Sequence, residues 1–441
     1  MRSSPTDPQG LRLGDYCSKI GSGATPRGGK DAYLDKGPYS LIRSQNILNE
    51  SFSFTGLAYI SQGQADKLSN VEVMENDVLL NITGDSVARA CQVALEALPA
   101  RVNQHVAIIR PRPDVIDPRF LRYFLVSPEM QAHMLSLAAS GATRNALTKG
   151  MIENFKVPNI PIHEQRNIAN LLGTLDDKID LNRRMNETLE AMARALFKDW
   201  FVDFGPTKAK MDGRPRYLSP EIWNLFPDRL DDDGKPEGWC EQSVHDQADW
   251  VNGAAYKNMH FSQESDALPV IKIAELKSGI TKNTKFTNTA LHEKYRIFDG
   301  ELLFSWSGNP DTSIDTFIWA GGDAWLNQHI FAVRSNGKRT KHFLYCMLKS
   351  LNPEFAEIAR NKQTTGLGHV TKQDLKELKI FIPSRDVLEE FDKLCSPLFS
   401  RIFSNLIENR ILGQTRDFLL PKLMSGEIRV GDAEKIVEEP V

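Results

Sequence analysis

Three residues in the second half of the sequence have the spacing of a metal-dependent nuclease site. Asp266, Glu275 and Lys277 form a D-x8-E-x-K pattern. Carboxylates at this spacing can gather a divalent cation beside a basic group that faces a phosphate. The pattern is short and has many chance matches, so a nuclease is an alternative function and not the main prediction.

A second candidate is a triplet that occurs twice, as Asn103-Gln104-His105 and as Asn327-Gln328-His329. Each triplet lies at the start of a predicted strand, where a histidine could act as a general base. No serine, cysteine or carboxylate recurs with the triplet at a recognisable spacing in both places. We therefore expect a structural cap, in which the amide side chains satisfy backbone groups at the strand end.

The glycine-rich segment from Gly21 to Lys30 suggests a phosphate-binding loop. However, a P-loop ends in Gly-Lys followed by serine or threonine, and this ending is absent from the segment. The spacing predicts a turn between strands. A turn that presents Thr25, Arg27 or Lys30 to a DNA backbone is the alternative.

The composition is that of a globular protein with several domains. The chain has 441 residues and a formal net charge of −3, and a chain of this length is expected to form two or three domains. Its five cysteines are scattered without a C-x-x-C pair, which favours a reducing compartment and argues against structural zinc. The sequence lacks a signal-like or membrane-spanning apolar run, so we expect a cytoplasmic protein. The slightly acidic balance does not by itself suggest DNA binding.

The sequence is nearly duplicated, and this duplication determines the expected architecture. The two Asn-Gln-His triplets lie 224 residues apart, and residues 76–80 match residues 300–304 at the same offset. Matches elsewhere keep offsets between 223 and 230 residues. At the positions that correspond to the nuclease-like pattern, the first repeat has uncharged residues: Gly37, Asn46 and Leu48. The possible cation site is thus missing from one half of a duplicated protein.

Each repeat is predicted to be a mixed domain followed by a long helix. Short apolar runs predict strands at residues 77–82 and 105–110 and again at 301–305 and 329–334. After each domain, apolar residues follow the 4-3-4 spacing of a coiled-coil seam, and about 37 helical residues would span roughly 55 Å. The predicted fold class is α/β (α+β), with two pseudo-symmetric domains separated by a long antiparallel two-helix coiled coil.

The predicted seam includes polar residues that would fix the register of the two helices. Its members are Ile168, Leu172, Leu175, Ile179 and Asn182 in the first helix and Phe391, Leu394, Leu398, Ile402 and Asn405 in the second. The alternative is a pair of solvated helices with the asparagines on the exposed side. The predicted boundaries are a first domain at 1–160, a helix at 161–204, a linker at 205–237, a second domain at 238–383, a helix at 384–430 and a tail at 431–441.

The helical segments closely resemble the conserved regions of type I restriction-modification specificity subunits. The resemblance is carried by residues 160–182 and 196–204 and by the specific run at 416–428, and it extends over the whole chain. One departure is the loop that begins Gly-Ala-Thr-Pro at Gly23 but Gly-Ala-Ala-Tyr at Gly253. Domains that bind different half-sites are expected to differ in such loops.

This resemblance implies a non-catalytic DNA-recognition subunit. Each target-recognition domain would read one half of a bipartite DNA sequence, and the helices would set the gap and dock methyltransferase subunits. The implied partners are double-stranded DNA, two methyltransferase (modification) subunits and two motor-nuclease (restriction) subunits, with no membrane. We expect no cofactor or metal on this chain, and S-adenosylmethionine, ATP and Mg²⁺ on the partner subunits.

Candidate DNA-contacting residues are polar residues in predicted loops or at strand ends. They are Thr25, Arg43, Arg89, Arg144 and Asn145 in the first domain and Lys272, Lys282, Lys285, Trp306, Asn309 and Thr364 in the second. Two other functions stay open at this point. One is the nuclease described above, and the other is a protein-interaction scaffold in which the helices only separate two protein-binding domains.

Overall fold

The chain forms two compact units. The computed structural model describes residues 10–49, 51–139, 145–363 and 367–438. Unit 1 consists of Met1–Lys178 and Leu412–Val441, and unit 2 consists of Ile179–Ile411. Both boundaries fall within long helices, so each unit contains one mixed domain and a pair of helix segments.

The helices begin where the sequence supplies a side-chain cap. In the described ranges the α-helices are α1 (Gln62–Lys67), α2 (Pro118–Val126), α3 (Pro128–Ala139), α4 (Lys149–Glu153), α5 (Ile162–Phe197), α6 (Gly205–Met211), α7 (Pro220–Trp223), α8 (Ile273–Ser278), α9 (Lys341–Ser350), α10 (Asn352–Asn361), α11 (Lys372–Glu377), α12 (Arg385–Ser425) and α13 (Val430–Glu438). For example, Asp117 accepts a 2.9 Å hydrogen bond from the Phe120 backbone, and Pro118 occupies the first helical position. No helix within these ranges is long and apolar enough to cross a membrane.

Unit 1 contains two four-stranded sheets. Its described strands are β1 (Leu11–Arg12), β2 (Cys17–Ser22), β3 (Tyr39–Ile42), β4 (Ala58–Ile60), β5 (Glu72–Val73), β6 (Val78–Asn81), β7 (Ala90–Gln92), β8 (Ala100–Val102), β9 (Val106–Pro111) and β10 (Lys156–Val157). The antiparallel sheet has the order β2-β9-β6-β7, and the second sheet has the order β4-β3-β8-β5 with β3 and β8 parallel. Strand β1 pairs separately with β10.

Unit 2 repeats this plan. Its described strands are β11 (Cys240–Ser243), β12 (Asp249–Asn252), β13 (Leu268–Ile271), β14 (Phe286–Thr287), β15 (Arg296–Ile297), β16 (Leu302–Ser305), β17 (Ser307–Gly308), β18 (Asp315–Ile318), β19 (Ala324–Leu326), β20 (Ile330–Arg334), β21 (Gly368–His369) and β22 (Lys379–Ile382). The sheets have the orders β12-β20-β16-β18 and β14-β13-β19-β15, with β13 and β19 parallel. The predicted mixed fold with two similarly built halves is confirmed.

The central strands are buried on both faces, which explains their continuous apolar runs. In β6, Val78 and Leu80 join the core beneath the helices, whereas Leu79 joins a second core between the two sheets. In β16, Phe304 and Leu303 divide in the same way. Burial of each such side chain contributes about 1.5–3 kcal/mol. This packing holds the strand ends, and the loops that leave them, in fixed positions.

The helix segments of unit 1 pack through an apolar seam. Ile168, Leu172 and Leu175 of α5 are buried in one cluster with α12 residues of the same unit. The α12 members of this cluster are Leu419, Leu420 and Leu423. Spacings of three and four residues place each set on one helix face.

In unit 2 the helix segments are joined by buried asparagines. Ile179 and Asn182 are buried, and the Asn182 amide donates to Asn409 Oδ1 at 2.9 Å. Asn405 donates to Asn186 Oδ1 at 2.8 Å, and both of these side chains are also buried. The alternative with exposed asparagines is therefore wrong. Because the partner numbers fall along α12 as they rise along α5, the segments run antiparallel.

Leu394 is a correction to the predicted seam, because it is 40% exposed. The prediction continued a heptad spacing, whereas the buried face of α12 follows the 3.6-residue period of a straight helix. Cys395 is buried in its place, and Leu398 is half-buried. The buried residues on this face are Phe391, Cys395, Phe399 and Ile402.

Two segments predicted without regular structure are folded. The segment 205–237 contains α6 and α7, and its Ala209 and Phe226 are buried in unit 2. The tail from residue 431 belongs to α13, whose buried Ala433 joins the core of unit 1. The turn residues that suggested a linker instead separate short helices, and a few apolar residues anchor each one.

Candidate functional site

Four chain segments meet at one end of the sheets of unit 1. Because β3 and β8 are parallel and β6 is antiparallel to β9, the ends of β3, β6 and β8 lie beside the start of β9. We call this end edge 1, formed by Gly23–Ala24, Ile42–Arg43, Asn81–Thr83 and Asn103–Val106. Edge 2 is the corresponding end of unit 2, formed by Gly253–Ala254, Ile271–Lys272, Ser305–Ser307 and Asn327–Ile330.

The same backbone hydrogen bonds build both edges. In edge 1 the Asn103 amide donates to Ile42 O at 3.0 Å, and Ile82 donates to His105 O at 3.0 Å. In edge 2 the corresponding bonds join Asn327 to Ile271 at 3.0 Å and Trp306 to His329 at 3.3 Å. Edge geometry is therefore common to both units, although the loops that leave the edges differ in sequence.

Glycine at the start of the first loop is required by close backbone packing. A Cβ atom on Gly23 would lie 1.9 Å from Val102 O, and one on Gly253 would lie 2.2 Å from Asn327 O. Each glycine also donates a 3.0 Å hydrogen bond to the first strand residue after the triplet, Val106 or Ile330. Both loops thus start from the same anchor, despite the sequence departure that follows it.

Within the triplets, the asparagine is the structural residue. Asn103 is buried, and its Oδ1 accepts a hydrogen bond from the His105 backbone at 3.1 Å. Asn327 is buried at the corresponding position of unit 2. The expected capping role of the triplet therefore fits its first residue, whereas Gln104 is exposed and makes side-chain contacts only.

A chain of side-chain hydrogen bonds crosses edge 1. Gln104 Nε2 lies 3.0 Å from His105 Nε2, and Thr83 Oγ1 lies 2.6 Å from His105 Nδ1. Since an amide nitrogen can only donate, Nε2 of His105 accepts and its Nδ1 carries the proton. At the other end, the Thr25 hydroxyl donates to Gln104 Oε1. The exposed glutamine is thereby fixed through both of its polar atoms.

Edge 2 keeps only part of this chain. Gln328 Nε2 lies 3.1 Å from His329 Nε2, but His329 Nδ1 has no hydrogen-bond partner among the described residues. The Trp306 ring packs against His329 instead, with centroids 5.6 Å apart. Burial lowers the pKa of His329, so its imidazole is neutral at physiological pH and accepts from Gln328.

The structure brings several predicted DNA-contacting residues of unit 1 to edge 1. Thr25 bonds Gln104, and Asn145 O accepts from Gly84 beside Thr83. Arg89 is exposed in the turn after β6. Arg43 follows β3, but its guanidinium donates to Gly56 O at 2.6 Å and covers the Tyr33 ring. Arg144 lies outside the described residues.

In unit 2 the predicted residues separate into two groups. Lys272 and Asn309 are exposed at or just beyond edge 2, and Trp306 is half-buried with its indole nitrogen donating to Asn252 Oδ1 at 2.8 Å. Lys285 is exposed beside the middle of β13, where its carbonyl accepts from Val270 at 2.8 Å, and Lys282 lies in the preceding turn. These two lysines are not part of edge 2, and Thr364 lies outside the described residues.

The nuclease-like residues are used for structure. Glu275 is buried, where Oε2 accepts from the Lys272 backbone at 3.0 Å and Oε1 from Thr284 at 3.0 Å. It occupies the place of Asn46, which caps the Arg43 backbone at 3.0 Å in unit 1. The other two residues have separate partners: Asp266 accepts from Asn288, and Lys277 donates to Thr312 O. In the described ranges, no three His, Cys, Asp or Glu side chains are grouped to hold a metal.

A cleft beside edge 1 contains basic residues that the sequence did not single out together. The cleft has a volume of about 440 Å³ and is lined by Thr25, Pro26, Arg27, Gln64, Lys67 and Leu68. Gln64 donates to Arg27 O at 3.0 Å, which connects α1 to the first loop. Lys67 and Arg27 belong to segments far apart in sequence, so only the tertiary structure reveals their proximity.

Comparisons with known proteins agree with this geometry. Residues 5–191 and 236–410 match the type I restriction modification DNA specificity domain. The chain is 28% identical over 343 residues to the type I restriction enzyme MjaIX specificity subunit of Methanocaldococcus jannaschii, covering 77% of this chain and 75% of that protein. It is 25% identical to the HindI specificity subunit of Haemophilus influenzae, covering 88% and 94% respectively.

A solved structure shows a similar fold. The crystal structure of the type I restriction-modification S subunit from M. genitalium superposes with a TM-score of 0.53 at 15% identity, covering 96% of this chain and 97% of that chain. The resemblance inferred from the sequence is confirmed by these matches. The prediction of a specificity component, as opposed to a self-contained enzyme, is confirmed by the names of the relatives.

Proposed function

We propose, on the premise that this chain belongs to the type I restriction-modification DNA specificity family, that each unit reads one half of a bipartite DNA sequence. The observation that carries this proposal is the duplicated edge. Edges 1 and 2 share their backbone hydrogen bonds and their glycine anchor, whereas their loops carry different side chains. A common frame with different polar residues suits two readers of unlike half-sites.

The charged residues near the edges support contact with a polyanion. Arg89 and Lys272 are exposed, and Arg27 and Lys67 line the cleft beside edge 1. Lysine and arginine contacts to phosphates position a protein on DNA, whereas contacts to base edges give sequence specificity. We therefore assign phosphate contacts to these cations and base contacts to polar residues of the edges.

The chemistry is assigned to partner subunits. We propose that two methyltransferase subunits dock along α5 and α12, that two motor-nuclease subunits join them, and that S-adenosylmethionine, ATP and Mg²⁺ bind to those subunits. Modification of a base requires its removal from the stack, so this chain positions the partner's active site over each half-site. The complex acts on DNA in the cytoplasm.

Reconstitution with the cognate methyltransferase subunit tests this function. We expect sequencing of modified bases in a plasmid library to give one bipartite motif with an unspecified gap. Methylation without a defined motif would favour the protein-interaction scaffold. The nuclease alternative requires that the purified chain alone nick plasmid DNA with Mg²⁺, and we expect no nicking because Glu275 is a buried cap.

Single substitutions test the assignment of the exposed cations. Arg89→Ala and Lys272→Ala are expected to weaken DNA binding by the reconstituted complex at every sequence and to reduce the salt dependence of binding by about one phosphate each. The measurement is binding to labelled DNA over a range of salt concentrations. An unchanged salt slope for either variant removes that residue from the phosphate contacts.

Deletion in the two long helices tests whether they set the gap. Removal of seven residues, two helical turns, from both helices shortens each by about 10 Å. Since one base pair occupies about 3.4 Å, the methylated motif should lose about three base pairs of its gap. A motif with the original gap would contradict the spacer role.

A further inference from the structure

The glutamine of each triplet is the one residue that the local fold does not use. Asn103 caps the backbone, and His105 contacts Thr83, but Gln104 is exposed and bonds no backbone group in the described part of the chain. In unit 2, Gln328 is half-buried, and its only printed side-chain contact is with His329. Two copies of a polar side chain without a structural task lie at equivalent places on two edges.

The hydrogen bonds around each glutamine leave it with defined binding capacity. His105 and His329 each accept one N–H of the neighbouring amide, at 3.0 Å and 3.1 Å. The second N–H of each amide remains, together with at least one lone pair on Oε1. A paired donor and acceptor on one side-chain amide complements adenine, which presents the N7 acceptor and the N6 donor in the major groove.

We propose that Gln104 and Gln328 each read an adenine–thymine base pair, one in each half-site. The proposal rests on the proposed function, because it requires that each unit contacts one half-site. Residues that differ between the edges, such as Thr25 and Lys272, distinguish unlike bases. Residues that are the same at both edges read what the half-sites have in common, and this common element is an adenine.

The histidines are positioning residues for these glutamines. Their Nε2 atoms hold the amide orientation that leaves the second N–H and Oε1 available. In unit 1 the orientation is reinforced by Thr25 at Gln104 Oε1 and by Thr83 at His105 Nδ1. In unit 2 neither reinforcement occurs among the described residues, since Ala255 is in place of Thr25 and His329 Nδ1 has no partner there. Edge 1 is thus the better pre-organised of the two.

The experiment uses the full-length chain reconstituted with its methyltransferase subunits. A library that varies every position of both half-sites is methylated and sequenced. Gln104→Ala should relax discrimination at one base pair of one half-site by about 5- to 150-fold, the ratio that corresponds to 1–3 kcal/mol. Gln328→Ala should do the same in the other half-site only. His105→Ala should relax the same position as Gln104→Ala, by a smaller factor.

A charge-changing variant gives a positive signal. Gln104→Glu replaces the amide donor with an acceptor, and a carboxylate accepts from cytosine N4, so the preference at that position should move from adenine towards cytosine. The matched control is Gln62→Ala, because Gln62 is also exposed and bonds only Asp66 of its own helix, at 2.8 Å. The control should leave both half-sites unchanged.

Three results would overturn the inference. They are unchanged discrimination in Gln104→Ala, a uniform loss of methylation at all sequences, which indicates a backbone contact, and relaxation in both half-sites at once. In each of these cases the wild-type complex still methylates a bipartite motif, so the proposed function stands. A wild-type complex without a bipartite motif overturns the proposed function and the inference with it.

Discussion

Units 1 and 2 fasten their long helices with opposite chemistry at equivalent places. In unit 1, Asp176 of α5 accepts hydrogen bonds from Arg122 at 2.6 Å and from the Tyr123 hydroxyl at 2.7 Å, and Arg416 bonds its second oxygen at 2.9 Å. At an offset of 223 residues, unit 2 has uncharged residues in these positions: Tyr345, Cys346, Phe399 and, for Arg416, Ala193.

The unit 2 counterpart is an aromatic cluster. Phe399 packs edge-on against Tyr345 with centroids 5.2 Å apart and stacks on His342 at 4.9 Å. One backbone plan therefore accepts either a buried ion network or packed rings between the same helices. The edges, in contrast, keep the same Asn-Gln-His triplet. We infer that the interior is free to diverge as long as the strand ends stay in place.

The two clusters respond differently to pH. Burial alone would raise the pKa of Asp176, but Arg122, the Tyr123 hydroxyl and Arg416 outweigh it, so the pKa is lowered. Burial, followed by Lys341, lowers the pKa of His342. A lowered pKa in the folded state stabilises the protein above the unfolded-state pKa, and this contribution is lost as the pH falls. The loss begins near pH 6.5 for His342 and near pH 4 for Asp176.

The largest expected effect is that of Asp176→Ala. Removal of this carboxylate leaves Arg122 buried without its ion-pair partner, which should cost unit 1 about 3–5 kcal/mol. The measurement is hydrogen exchange in α2 at increasing denaturant concentrations. Asp177→Ala is the control, because Asp177 is 68% exposed in its pair with Arg119 and should cost at most about 1 kcal/mol. Equal losses in the two variants would contradict a buried ion network.

Phe399→Ala should produce a similar loss in unit 2 alone. Truncation of a buried phenylalanine leaves a cavity and costs about 3–5 kcal/mol. All seven tryptophans lie between Trp200 and Trp325, so tryptophan fluorescence reports on unit 2. We expect the fluorescence transition to move to lower denaturant while exchange in α2 is unchanged. Loss that varies strongly with salt would contradict an aromatic cluster held by packing.

Gly23→Ala should have an intermediate effect that is confined to edge 1. The new Cβ meets Val102 O at 1.9 Å, and the required backbone shift should cost about 1–3 kcal/mol. Gly21→Ala is the control, since nothing lies within 4 Å of its added Cβ. Hydrogen exchange at residues 102–106 measures the difference. Equal exchange in both variants would show that the close approach at Gly23 is not required.

The smallest expected effect is the pH response of His342. Lowering the pH from 7.5 to 5.5 should destabilise unit 2, as reported by tryptophan fluorescence, because the unfolded state binds a proton that buried His342 resists. The His342→Phe variant should lose part of this pH dependence. Unit 1, reported by exchange in α2, should change little over this range because Asp176 stays ionised. An identical pH profile for wild type and variant would refute the role of His342.

Sequence patterns predicted the features that depend on local periodicity. The duplication, the apolar strands such as β6 and β16 and the two long helices all follow from the repeats and the spacing of apolar residues. Leu394 was misplaced because a heptad spacing was continued where α12 follows a straight-helix period. The error of one position exchanged Leu394 for the buried Cys395.

The candidate site was less predictable because its contacts are long-range. Glu275 is a cap only because Thr284 folds back against it, and the Arg27–Lys67 cleft joins distant segments. Repetition of the Asn-Gln-His triplet was visible in the sequence, but the division of roles among its residues was not. Burial of Asn103 and exposure of Gln104 depend on how β8 and β9 meet at edge 1.

Photo-cross-linking of DNA to the two edges tests the central claim most directly. DNA with a photoreactive base in one half-site or the other is bound to the reconstituted complex and irradiated, and the cross-linked peptides are identified. The account predicts that one half-site reacts within residues 24–30, 82–89 or 103–106, and that the other reacts within 254–261, 306–309 or 327–330. Cross-links from both half-sites to the same unit, or to α5 and α12, would contradict it.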